Sequence, residues 1–243
     1  MKSLLRAVDV VKETDDLIFV SKPSGLLSIP DRYDQSKPNL LDYLRSEGRE
    51  VFAVHRLDRD TSGIMVFAKT PEAHKELNQQ FEHRISKKIY WALVMGALKS
   101  EGEISLPIVA NPNRPGAMKI AKKGKESVSR YRVIEEFANC SLVELEPLSG
   151  RTHQLRVHMM GIGHPLLIDP IYGSDSGIYL SRIKPRYRQK RSEEERPIMD
   201  RLTLHARSLT ILDPQSGSEI SENAELPKDF RVVLDNLRKY QAR

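Results

Sequence analysis

The sequence predicts an α+β fold: a mixed, mostly antiparallel β-sheet flanked by helices and loops. Strand-like apolar segments outnumber those with helical spacing, and several adjoin through short turns, as antiparallel neighbours do. The third observation is size, since 243 residues of which 39% are hydrophobic can bury a substantial core.

Taken in order, "DLIFVSKPSGLLSIP" reads as a strand over 17–21, a Pro-Ser-Gly turn and a short extended piece. Pro30 to Pro38 reads as a loop, and the stretch from Leu26 to Tyr43 is placed to fold back over a site. "NLLDYLRSEG" has Leu40, Leu41 and Leu44 on one helical side and Gly48 beyond its end. Val51 to Val54 and Ile64 to Ala68 are short buried β segments around a polar interval. Thr70 is an N-cap with Pro71 in the first helical position, and Ala73, Leu77, Phe81 and Ile85 then recur at helical spacing. "KKIYWALVMG" resumes as a strand, "SVSRYRVIEEF" and "CSLVELEPL" read as antiparallel neighbours, and "GRTHQLRVHMMGIG" as a short helix ending near Gly161 or Gly163. The charged stretch 175–200 reads as an insertion or long loop. "RLTLHARSLTILDPQSGSEI" returns to β structure, and a C-terminal helix over about 227–240 has Phe230, Val233, Leu234 and Leu237 on its apolar side. No useful internal repeat is present, and a chain of this length is expected to form one main domain spanning 1–243.

No apolar run approaches the length of a membrane helix, and Asp9, Lys12 and Glu13 interrupt the place where a signal peptide needs its apolar core. A single cysteine, Cys140, excludes an internal disulfide and any all-cysteine metal site, which points to a reducing, cytoplasmic setting. Against 33 acidic residues stand 39 lysines and arginines, a net charge of +6 that is unevenly spread. "RIKPRYRQKR", 182–191, holds six basic residues in ten, and "RPGAMKIAKKGK", 114–125, holds five in twelve, neither with an acidic residue. Such clusters attract a polyanion through counterion release, or are solvated loops. Lys119, Lys122, Lys123, Lys184, Arg186 and Arg188 are the candidate phosphate contacts.

"VFAVHRLDRDTSGIMVFAKT" sets a histidine and four charged residues between two apolar runs. Asp58 is the sharpest candidate for chemistry there, because a carboxylate in such an interval is retained only if partners offset its desolvation. Arg56, Arg59 and the distant Arg151 are available to do so. A paired carboxylate stays ionised, which suits a nucleophile or base, although a structural ion pair holding a turn explains the pattern equally well. Asp60 has the look of a turn residue with Thr61, Ser62 and Gly63, and the residues alone permit either aspartate to react.

Tyr90 sits in the apolar strand "IYWALV", where a phenol is either a core aromatic or a stacking surface with a useful hydroxyl. "GRTHQLRVHM" sets Arg151, His153, Arg156 and His158 near a helix start, which suits a phosphate or carboxylate; equally, Leu155, Val157 and Met159 fit the anchors of an ordinary surface segment. His153 and His158 are five apart, which misses the spacing that puts two helical histidines on one face, so no metal site is expected. Gly-rich phosphate loops, a Rossmann turn and a serine nucleophile elbow are absent, which argues against nucleotide hydrolysis, dinucleotide redox chemistry and the common esterases.

"HRLDRDTSG", His55 to Gly63, resembles the signature of the RluA-like RNA pseudouridine synthases, which modify large-subunit ribosomal RNA and transfer RNA. "VSKPSGLLSIP", "KKIYWALV", "GRTHQLRVHMMGIGHPLLIDPIYG" and "LHARSL" resemble further motifs of that family in the right order, covering most of 15–213. The resemblance implies the pseudouridine synthase catalytic core, with Asp58 as the catalytic aspartate, Tyr90 as the active-site tyrosine and Arg151 as the arginine that pairs with the aspartate. Arg56 would support the site or bind phosphate, and Leu204 would line the uracil pocket.

The implied reaction isomerises a uridine to pseudouridine through Asp58, needs no cofactor or metal, and takes structured ribosomal or transfer RNA, not DNA or a membrane, with the enzyme expected as a monomer. The first motif begins by residue 15, so no S4 domain is expected. One departure is Ile168, where the family more often has glycine before the residue that is here Asp169. The competing readings are a noncatalytic RNA-binding protein that keeps the synthase fold and a hydrolase that releases uracil.

Overall fold

The computed structural model describes residues 2–98, 100–174, 176–187 and 194–242. In chain order the elements begin with α1 (Lys2–Leu5), β1 (Asp9–Glu13), β2 (Leu17–Lys22), α2 (Leu40–Ser46), β3 (Phe52–Ala53), β4 (Ser62–Ala68) and α3 (Pro71–Glu82). They continue with β5 (Lys87–Met95), β6 (Glu101–Ser105), β7 (Ile108–Ala110), β8 (Met118–Ile120), β9 (Val128–Glu136) and β10 (Cys140–Pro147). The last are α4 (Gln154–Gly161), α5 (Leu180–Ile183), β11 (Leu204–Leu212), β12 (Glu219–Asn223) and α6 (Lys228–Gln241). These elements form two compact units, one made by the chain up to Tyr90 with His205–Glu225, the other by Trp91–Leu204 with the chain from Leu226 onward.

In the first unit the strand order is β1-β2-β4-β11, with β3 paired to β4 and β12 to β11. β2 runs antiparallel to β4 from Leu17 opposite Ala68 to Lys22 opposite Gly63. β11 instead joins β4 in parallel, His205 beside Ser62 and Ala206 beside Gly63, which makes the sheet mixed. All seven residues of β4 are buried, as expected of a strand covered on both faces. Gly63 is required at this junction. Its φ is 121°, and a Cβ there would lie 2.2 Å from the Ala206 carbonyl oxygen and 2.6 Å from its nitrogen.

α2 buries Leu40, Leu41 and Leu44. α3 begins as its sequence predicts, with the Thr70 side chain accepting from the Ala73 N–H, but it stops before Ile85. The Ile85 N–H donates to the Gln80 carbonyl and the Arg84 N–H to that of Phe81, a Schellman cap with Arg84 at φ 59° in the place usually given to glycine. Ile85 is left 53% exposed, a correction to the helical pattern that included it.

The second unit has the strand order β5-β10-β9-β6, with β7 and β8 as a separate pair. β9 and β10 are antiparallel as predicted, from Glu136 opposite Ser141 to Ser129 opposite Pro147. Phe230, Val233, Leu234 and Leu237 of α6 are buried with Leu93, Phe137, Cys140 and Leu142. The stretch expected as a loop over 175–200 does more than connect. It carries α5 and an antiparallel bridge between Ile178 and Met199, and it sends Ile178, Ile183 and Met199 into this core.

The helix α4 is an interior one, with all of Gln154 to Met159 buried, and one of its cations meets a carboxylate of this chain. Arg156, 3% exposed, gives a two-pronged pair to the fully buried Asp169, its Nε 2.8 Å from one carboxylate oxygen and an Nη 2.8 Å from the other. Asp169 also accepts from the N–H groups of Ile171 and Tyr172, which builds the local turn. Ile168, the departure from the family pattern, is simply a core side chain.

Candidate active site

The polar interval between β3 and β4 is held from below by the segment that follows β2. Lys22, 1% exposed, donates from its ammonium to the carbonyls of Pro23, Leu26 and Arg59 at 3.0, 2.7 and 2.9 Å. Ser24 Oγ donates to the Asp60 carbonyl at 2.6 Å, and the Gly25 N–H to that of Arg59 at 2.9 Å. Ser28 Oγ both donates to the Leu57 carbonyl at 2.9 Å and accepts from the Leu57 N–H at 3.0 Å. Asp58 therefore sits between clamped neighbours on both sides, and the Thr61 N–H closes a turn onto its carbonyl at 3.1 Å. Asp58 is half-buried, whereas the side chain of Asp60 is 47% exposed and its backbone, not its carboxylate, takes part in the clamp.

His55 opens the interval. Its Nε2 accepts from the Val66 N–H at 3.0 Å, and its ring stacks on Phe81 with centroids 4.7 Å apart and planes 13° from parallel. Burial, and then the charge of Lys88, push its pKa down to about 3, so it is a neutral imidazole. Two residues along the same face of β5, Tyr90 stands where Asp58 acts on it. Burial first, and the Asp58 carboxylate second, push the Tyr90 hydroxyl far above the usual phenol range. Tyr90 thus stays protonated and offers an O–H and a ring face beside a carboxylate. Among the sequence-predicted residues, Asp58 and Tyr90 are brought together in the first unit. Arg56, two residues before Asp58, is exposed.

At the end of the interval, Ser62 Oγ and His205 Nδ1 lie 2.9 Å apart, and His205 Nε2 lies 3.2 Å from the Ala224 carbonyl. The carbonyl can only accept, so Nε2 carries a proton. The "LHARSL" and "TSG" segments are thereby locked together where β4 and β11 run in parallel. Leu204, which opens β11, is buried.

Arg151 belongs to the second unit. Its backbone N–H donates to Gln154 Oε1 at 3.0 Å, and its Nε to the Glu126 carbonyl at 3.2 Å. Gln154 also accepts from Ser149 Oγ and donates to the Val128 carbonyl and Ser129 Oγ, so all four hydrogen-bonding positions of a buried amide are used to hold this turn. Sequence reasoning missed Gln154, Lys22 and Ser28. The only signal for them was membership of the same motifs.

Among the basic candidates, Lys122 and Lys123 are exposed on the turn after β8, while Lys119 is half-buried within it. Lys184 is half-buried with its ammonium 5.8 Å from the Tyr240 ring centre, and Arg186 is exposed. Arg188 lies outside the described residues. Among the described residues no group of three or more His, Cys, Asp or Glu is placed to hold a metal ion, and no helix is long and apolar enough to cross a membrane.

Fold and motif order together define an RNA pseudouridylate synthase, and the model of the family so described matches residues 16–160. The dual-specificity RNA pseudouridine synthase RluA of Escherichia coli strain K12 is 38% identical over 224 residues, 91% of this chain and 93% of that protein. The protein of the same name from Vibrio cholerae is 37% identical over 215 residues, 86% of this chain and 79% of that one. Among solved structures, human RNA pseudouridylate synthase domain containing 4 superposes with a TM-score of 0.71 at 26% identity, covering 98% of this chain and 95% of that chain. Human RNA pseudouridylate synthase domain containing 1 gives 0.68 at 26% identity over 98% of each. The chain belongs to the RluA-like RNA pseudouridine synthases, and it is an isomerase that converts uridine in RNA to pseudouridine.

Proposed function

We propose that Asp58 is the reactive group of this isomerase, that Tyr90 and Arg151 serve the same reaction, and that the substrate uridines lie in transfer RNA, large-subunit ribosomal RNA or both. The observation that carries the reading is the clamped Asp58 loop beside a protonated Tyr90. The reaction breaks the C1'–N1 bond of a uridine taken out of its stack, turns the uracil, joins C1' to C5 and releases the C5 proton, while N1 gains one. An ionised carboxylate suits attack at C1' or at C6, or removal of the C2' proton. Tyr90, kept neutral, supplies a ring to stack on the uracil and a hydroxyl to hydrogen-bond. No electrons are exchanged overall, so the isomerisation balances without a redox partner.

Arg151 is assigned from its motif and from the care with which Gln154 fixes its backbone. Arg56, exposed in the signature, contacts phosphate or supports the site, and Leu204 forms part of the apolar wall around the uracil. Lys119, Lys122, Lys123, Lys184, Arg186 and Arg188 contribute phosphate contacts, which position an RNA without reading its sequence. The relatives named as dual-specificity enzymes support a substrate range of more than one RNA. The setting is cytoplasmic: Cys140 is buried with its thiol pushed up to about 11 by burial, a packing residue with no disulfide to form within the chain.

The deciding experiment is tritium release from transfer RNA transcripts and ribosomal RNA fragments labelled at uracil C5, with the nucleosides then separated. Asp58→Asn nearly conserves volume and removes the charge, so it should abolish release and pseudouridine formation while RNA binding persists. Turnover by Asp58→Asn at the wild-type rate would remove Asp58 from its role, and free uracil in place of pseudouridine would make the enzyme a hydrolase.

A further inference from the structure

Tyr33 is 90% exposed, while every other large hydrophobic side chain left exposed among the described residues lies between 36% and 53%. A phenol ring left in water contributes nothing to the core, yet the backbone that presents it is fixed. Asp31 Oδ1 accepts from the N–H groups of Tyr33 and Asp34, both at 3.0 Å. Asp34 in turn accepts from the Ser36 N–H and hydroxyl, and the Lys37 ammonium lies 3.6 Å from Asp31 and 3.9 Å from Asp34. These bonds hold the carboxyls of Asp31 and Asp34 below the usual carboxylate range, so both acceptors are ionised at neutral pH. The Arg32 guanidinium stands 5.9 Å from the Tyr33 ring centre, within reach of a cation–π contact.

The loop is also tied to the reaction loop at its base. The Leu40 N–H donates to the Leu27 carbonyl at 2.8 Å and the Leu41 N–H to the Ser28 carbonyl at 3.2 Å, pinching the loop shut. Ser28 is the residue whose hydroxyl makes both bonds to Leu57, the neighbour of Asp58. Tyr33 is five residues on from Ser28, so the tyrosine lies within about 18 Å of it, a span of a few nucleotides. The charges of the loop, Asp31, Arg32, Asp34 and Lys37, cancel, so it presents a ring and no net field to phosphate.

We propose that Tyr33, flanked by Arg32, is a stacking platform for a nucleobase of the substrate RNA, a few nucleotides from the uridine held at Asp58. The inference rests on the reading of Asp58 as the reactive group. An aromatic on a pre-set loop gains a base–ring contact without ordering the loop first, and such a contact tolerates any base. Tyr33 is then a positioning residue that selects RNAs able to offer an unpaired base at that distance.

The test compares the wild type with Tyr33→Ala and Tyr33→Phe on unmodified transfer RNA transcripts and ribosomal RNA fragments labelled with tritium at uracil C5. Filter binding of the same RNAs gives Kd. Tyr33→Ala should raise Kd and KM by about fivefold to 150-fold with kcat at saturation and Tm unchanged. Tyr33→Phe should restore both, and the slope of binding against salt should stay that of the wild type. Equal Kd and KM for Tyr33→Ala and the wild type would overturn the proposal, as would a failure of Tyr33→Phe to rescue. A wild type that forms no pseudouridine in either RNA class would count against the substrate reading, and the binding comparison would still decide the role of Tyr33.

Discussion

Single residues in this enzyme are explained by what their polar atoms can reach. Asp58 stands out in the sequence because a carboxylate between apolar strands needs compensation, and the structure adds a neutral Tyr90 beside it. His55 is the clearest case with a pH consequence. Its pKa is depressed to about 3, so between that value and about 6.5 the unfolded chain binds a proton at this site that the folded chain refuses. The stabilisation is complete above about pH 6.5 and is lost as the pH falls, by roughly 2 kcal/mol between pH 7 and pH 5. Urea denaturation at those two values should show His55→Gln losing about that much less than the wild type, and equal losses would show that the imidazole is protonated in the fold. Arg156 shows the limit of residue-level reading. The chain identifies a cation near a helix start, but only a residue thirteen positions away, Asp169, makes it an interior ion pair.

Elements follow local pattern where neighbours in the chain decide them. The Thr70 cap, the Pro71 start and the buried face of α6 were legible because each depends on residues within a few positions of one another. The end of α3 was not, because Arg84 in a left-handed conformation carries no glycine to announce it. The parallel pairing of β4 with β11 was hidden for a related reason. Gly63 reads as a turn residue, and its use lies in the Ala206 backbone pressed against it. Gly63→Ala should therefore destabilise the protein by about 1–3 kcal/mol or more, since both its φ and its space are unsuited to a side chain. A denaturation midpoint equal to that of the wild type would show that the two strands can part without cost.

At the scale of the whole molecule, exposed lysines and arginines are the candidates for contact with RNA phosphate. Lys122, Lys123 and Arg186 are exposed, whereas Lys119 and Lys184 are half-buried, so the first three are the stronger candidates for phosphate. Replacing those three with glutamine should weaken RNA binding and lower the salt slope by about 0.7–0.9 for each phosphate no longer neutralised, with kcat at saturating RNA retained. An unchanged slope would place the RNA on another surface.

From sequence alone came the fold class, the order of the motifs, the family they resemble and the choice of Asp58, because periodicity, caps and signature spacing are properties of neighbours along the chain. Tertiary structure alone decided which polar groups serve the site and which serve the core. Lys22 reaching the Arg59 carbonyl, Ser28 holding Leu57, His205 bonded to Ser62 and Gln154 fixing the Arg151 turn are such decisions. Several of these pairs are separated by tens of residues, and a hydrogen bond over that separation exists only once the strands have been placed, since burial without a partner would be too costly to keep.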